Sequence, residues 1–123
     1  MKNTFISLSL LVSAFHFFFW VLESFLWTKP IGLKVFRMTA EAAETSKVLA
    51  FNQGFYNGIL AAGILWGIIR GDHSIALFCL VGVVVAALVG AWSVSFRIFL
   101  IQGLPAVFAI IVYFLMTKAQ KSL

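Results

Sequence analysis

Apolar residues along this chain gather into four runs separated by polar breaks. The runs are Phe5 to Trp27, Val48 to Ile69, Ile75 to about Val94, and Ile98 to about Met116. A helix needs about 20 mainly apolar residues to cross the hydrocarbon core of a bilayer, and each run reaches or nearly reaches that length. The breaks are short except for Thr28 to Lys47. There Pro30 and Gly32 turn the chain, and Lys34 and Arg37 sit at headgroup level. Thr39 can cap a helix whose first turns carry Glu41 and Glu44, where carboxylates meet the positive end of the helix dipole. The second helix is therefore expected to start near Ala40, ahead of its apolar run, and to continue to Ile69, a length of about 45 Å. Gly71 and Asp72 form the next turn. The pattern predicts an all-α fold, an integral membrane four-helix bundle. It forms a single transmembrane domain over residues 1–123, with helices at about 5–27, 40–69, 75–94 and 98–116 and both termini on one side.

Composition narrows the picture further. Of the 123 residues, 63% are apolar and 11% charged, against about 25% charged in an ordinary soluble domain. So small a body cannot bury that much apolar surface within itself. A soluble enzyme, a nucleic-acid-binding domain and a disordered chain are all disfavoured. The first run begins after Lys2, as a signal peptide would, but it is too long and no small-x-small cleavage site follows it. It is expected to be a retained helix.

The net charge of +5 comes from nine Lys and Arg against four Asp and Glu. These charges lie mainly between the apolar runs, where they anchor helix ends to headgroups, and they form no stripe that would bind nucleic acid. Lys29, Lys34, Arg37, Lys47 and Arg97 fall on one side; Lys2, Arg70, Lys118 and Lys121 fall on the side of the termini. Charge barely separates the two orientations. Cytoplasmic termini are expected because Arg97 is assigned to a polar pocket. Cys79 is the lone cysteine, which excludes an intrachain disulfide and a cysteine metal cluster. Gly54 with Gly58, Gly63 with Gly67, and the Gly82, Ala86, Gly90 series permit close helix approach, as small residues do in lipid.

The most informative residues are those lipid should exclude. An ionisable side chain at a helix centre costs about 2.5 to 3.5 kcal/mol on insertion scales, so it faces protein and has a partner. The first helix carries His16 and Glu23, with Trp20 and Trp27 on the same stripe. The second carries Asn52, Gln53, Tyr56 and Asn57, which span an arc of roughly 140° as one broad polar face. The fourth carries Arg97 at its entrance and Gln102 a turn or two inside. Pro105 follows and frees the carbonyl near Ile101. Depth arithmetic puts Glu23, Asn52, Gln53, Gln102 and Arg97 in the same half of the bilayer, with Asn57 and His16 deeper. A one-sided polar pocket is expected there, opening toward the Thr28 to Lys47 connection.

At these residues the chain resembles a known family. The stretches HFFFWVLESFLW (His16 to Trp27) and KVLAFNQGFYNGILAAG (Lys47 to Gly63), with Gln102-Gly103-Leu104-Pro105-Ala106, resemble the domain of unknown function 1304 family. Its members are small bacterial membrane proteins with four helices. The resemblance implies that architecture and a location in the bacterial cytoplasmic (inner) membrane, and marks His16, Glu23, Asn52, Gln53, Tyr56, Asn57 and Gln102 as motif positions. It supplies no substrate. Where the family often has Pro after the helix-two cap, this chain has Ala40, and either residue suits a first helical turn.

Three functions compete. In the first, the pocket binds or transforms a small amphipathic or lipid-like molecule. Trp20, Phe19, Tyr56 and Trp66 would hold its apolar body, and Glu23, Asn52, Gln53, Asn57, Arg97 and Gln102 its polar head. For an enzyme, His16 and Glu23 are the candidate acid/base pair. In the second, the chain is a proton-coupled exporter, similar in layout to the small multidrug resistance transporters. In the third, the polar groups are packing glue in a structural or partner-binding protein. The expected partners are membrane lipid and a small amphipathic ligand, with a homo-oligomer left open and nucleic acid excluded. No cofactor is expected, and His16 with Glu23 alone is too thin a set for a metal.

Overall fold

The structure, a computed structural model, describes residues 1–121. They form helices and turns, with no strand among the described residues. Helix α1 spans Lys2–Phe25, α2 Pro30–Phe36, α3 Ala40–Arg70 and α4 His73–Ser93. A short α5, Phe96–Ile98, runs into a π-turn at Phe99–Gly103 and then into α6, Leu104–Lys121. Four stretches are long and apolar enough to cross a membrane: α1, α3, α4 and Phe96–Lys121. Phe78 and Trp92 of α4 are 79% and 90% exposed. Large apolar side chains presented outward from membrane-length helices suit lipid rather than water. The fold is all-α and of the integral-membrane kind.

The chain packs as two compact units whose boundary falls inside α1 and α3. One comprises Met1–Phe15 and the chain from Leu60 onward; the other is His16–Ile59. The first has a core of Phe5 and Val12 from α1, Ile64 from α3, Ala76, Leu80 and Val83 from α4, and Ala106 and Ala109 from α6. On α4 the buried residues Ala76, Leu80, Val83 and Ala87 recur every three or four positions and so line one face. Ser13 donates its hydroxyl proton to the Ala61 carbonyl over 2.9 Å, a buried bond that ties α1 to α3. Gly71, at φ +68°, makes the turn out of α3, and Asp72 caps α4 by accepting from the Ser74 N–H at 3.0 Å.

In the second unit, α1 and α3 approach closely at two glycines. A Cβ at Gly58 would lie 3.1 Å from the Trp20 ring, and one at Gly54 would lie 3.1 Å from the Glu23 Cβ. The connection expected to be a plain turn contains α2. Pro30 stands at its N-terminus, where a fixed φ and a missing N–H both suit a first helical turn. Gly32 is buried beneath the Leu26 and Trp27 carbonyls, with no space for a Cβ. Arg37 closes α2 at φ 52°.

The fourth apolar run also departs from a regular helix. The Leu104 N–H reaches back to the Phe99 carbonyl, five residues away. Pro105 lacks an N–H, and its ring crowds the carbonyl four residues back, so the backbone widens just before it.

Candidate functional site

The buried stripe of α1 carries both ionisable groups of that helix's apolar stretch. Ser9, Ser13, His16 and Glu23 are buried, while Phe18, Val21 and Phe25 are exposed. This inside-out polarity is what a hydrocarbon surround requires. Glu23 is only 8% exposed, and Asn57 of α3 only 5%. The Asn57 Nδ2 donates to the Glu23 Oε2 over 2.7 Å. The close approach at Gly54 brings the two helices near enough for this bond to form.

One turn beyond Glu23, Trp27 is fixed from two directions. Its indole N–H donates to the Ser46 hydroxyl at 3.1 Å, and Ser46 in turn donates to the Ala42 carbonyl at 2.7 Å. Its ring packs on Phe36 of α2 with centroids 4.6 Å apart. Glu23 and Trp27 together line two hollows, both open to the outside. The smaller, about 310 Å³, continues along Ser24, Thr28, Lys47 and Phe51. The larger, about 510 Å³, continues along Ser46, Asn52, Gln53 and Tyr56. Glu23 and Trp27 therefore form a wall common to both.

Among the expected site residues, Asn57 pairs with Glu23, whereas Asn52, Gln53 and Tyr56 line the larger hollow as exposed side chains. The polar face of α3 is thus divided between a buried partner and an open rim. Trp20 is half-buried and lines neither hollow. It packs edge-on against Phe55 and Phe25, at 5.7 and 6.0 Å, and its indole N–H has no hydrogen-bond partner. His16 is 1% exposed and also lines neither hollow. It meets Phe19 edge-on at 6.4 Å and lies about 10 Å along the helix axis from Glu23. Arg97 and Gln102 belong to the other unit, on α5 and the π-turn, the first exposed and the second half-buried. Trp66 is there too, 56% exposed, with the Arg70 guanidinium 5.7 Å above its ring.

Ser46 is the contributor that sequence reasoning missed. A serine in the polar start of α3 carries no signal until Trp27 is seen to need an acceptor. Chemically, the arrangement offers a carboxyl, several amides and an indole, all within reach of a polar head with an apolar tail.

Comparisons with known proteins reach the whole length of this arrangement. The family model described as "Protein of unknown function (DUF1304)" matches residues 10–114. A relative from Lactococcus lactis subsp. lactis (strain IL1403), named "Uncharacterized protein YpaA", is 34% identical over 110 residues, covering 86% of this chain and 92% of its own. No solved structure matches the chain.

Proposed function

We infer, for a chain that belongs to the DUF1304 family of proteins of unknown function, that it is a small integral protein of the bacterial cytoplasmic membrane that binds an amphipathic or lipid-like molecule beside Glu23. The observation that carries the reading is that Glu23 and Trp27 line two hollows in common. Structural glue needs the Glu23–Asn57 bond alone. It does not need a locked indole next to that bond, or exposed amides along the adjoining rim. In this reading Trp27, Tyr56 and Phe51 receive the apolar body of the ligand, while Glu23, Asn52 and Gln53 orient its head. If the ligand is also transformed, Glu23 is the group that meets it. His16 joins as acid or base only through a substrate long enough to span two helical turns.

The test is to purify the wild type, Trp27→Ala and Gln53→Ala in mild detergent and identify co-purifying amphiphiles by mass spectrometry. Enrichment of one compound with the wild type, lost in both variants while their melting temperatures stay near the wild type, is the expected result. Equal enrichment in all three, or none in any, would replace the binding reading with a packing role for Glu23 and Asn57.

A further inference from the structure

A third hollow, of about 460 Å³, lies in the first unit, where α3 ends and α4 begins. Lys2 from the start of α1 and Arg70 from the end of α3 line it, together with His73, Tyr113 and Gln120. Two of these lining rings are held from behind by Phe5, fully buried, which meets His73 at 5.2 Å and Tyr113 at 5.6 Å. Tyr113 and Gln120 stand seven residues apart on α6, two turns along the same face. Among the described residues, Asp72 is the one carboxylate lining the hollow, and it already accepts from the Ser74 N–H. The buried Nδ1 of His73 has no hydrogen-bond partner. Lys118 and Lys121 in the last turn of α6 add further positive charge to the terminal end of this unit.

We propose that this hollow binds the phosphate of an anionic membrane lipid. Two cations line a space that also holds hydroxyl and amide donors and the rings of His73 and Tyr113. That combination suits a singly charged phosphodiester attached to an apolar body. Placement favours a lipid source, because the hollow is built from the ends of membrane-length helices, the level at which lipid phosphates lie. Free phosphate shares the same charge chemistry, so the test separates the two sources. This inference is independent of the Glu23 site and uses none of its residues.

The full chain is loaded in detergent with phosphatidylglycerol or with phosphatidylcholine, and retained lipid is counted by native mass spectrometry. Binding of labelled inorganic phosphate to delipidated protein is measured alongside by equilibrium dialysis. Phosphatidylglycerol should be retained in preference to phosphatidylcholine, and the Lys2→Gln, Arg70→Gln double variant should bind it about ten- to thirtyfold more weakly, as expected for two surface cations. The charge-keeping pair Lys2→Arg, Arg70→Lys should hold it, and Lys34→Gln with Arg37→Gln should leave retention unchanged. Phosphate binding without lipid, lost in the same Lys2, Arg70 variant, would assign the hollow to soluble phosphate instead of lipid. Retention indifferent to Lys2 and Arg70, or lost equally in the Lys34, Arg37 control, would overturn the proposal.

Discussion

At the scale of single residues, the Glu23–Asn57 bond makes a prediction that separates charge from hydrogen bonding. Glu23→Gln keeps a carbonyl oxygen for the Asn57 amide to donate to, so it should cost under about 1 kcal/mol. Glu23→Ala leaves a buried amide unpaired and should cost about 1 to 3 kcal/mol. Unfolding titrations in mixed micelles would read the difference. Equal losses for the two variants would mean that the bond does not contribute as the geometry indicates. Glu23 could be singled out from sequence because an ionisable group in an apolar helix demands a partner. Asn57 was only one member of a group of four, since helical spacing gives the width of a polar face but not where a neighbouring helix cuts across it. Ser46 could not be read at all, because its role depends on where the chain places Trp27 after α1 has ended.

Helices obey the same logic one level up. The spans are legible because lipid enforces a minimum apolar length. The small-residue pairs are legible because close approach in lipid needs them. At Gly58 the space is filled by the Trp20 ring. Gly58→Leu should therefore separate α1 from α3 in the second unit, with a loss of about 1 to 3 kcal/mol from overpacking. Gly71→Leu, in open space, should cost only its strained φ. Thermal melts of the two variants side by side would check this, and a milder effect at Gly58 than at Gly71 would argue against the packing described. Helix α2 was not legible. Pro30 and Gly32 within three residues read as punctuation, and seven residues are too few to show a period. Its reality rests on Pro30 serving as a helix start and Gly32 fitting beneath two carbonyls. Depth along a helix predicts a shared layer in the bilayer, but it does not say which unit a residue packs in, and Arg97 and Gln102 pack in the first.

For the molecule as a whole, four spans imply termini on a common side, and the charge balance across the membrane is nearly even. Five Lys and Arg residues flank one set of helix ends and four flank the other, so the positive-inside preference is weak. C-terminal fusions should fluoresce as green fluorescent protein and remain inactive as alkaline phosphatase, consistent with cytoplasmic termini. Lys34→Gln with Arg37→Gln should increase that bias by removing opposing charge. An active phosphatase fusion would reverse the orientation, and activity of both reporters would indicate insertion in both directions.

The π-turn at Phe99–Gly103 has a consequence for how this chain tolerates changes in length. A widened turn accommodates one residue more than a regular one does, so the segment contains a spare position. Deleting Leu100, exposed within that turn, should let the backbone close into ordinary helical geometry and leave Ala106, Ala109 and Met116 facing the interior. Deleting Val107 should instead swing every later residue of α6 by about 100° and turn Ala109 and Met116 outward. Folded yield after each single-residue deletion measures the difference. Preserved yield without Leu100, alongside collapse without Val107, would identify the segment as the place where the protein absorbs insertions and deletions.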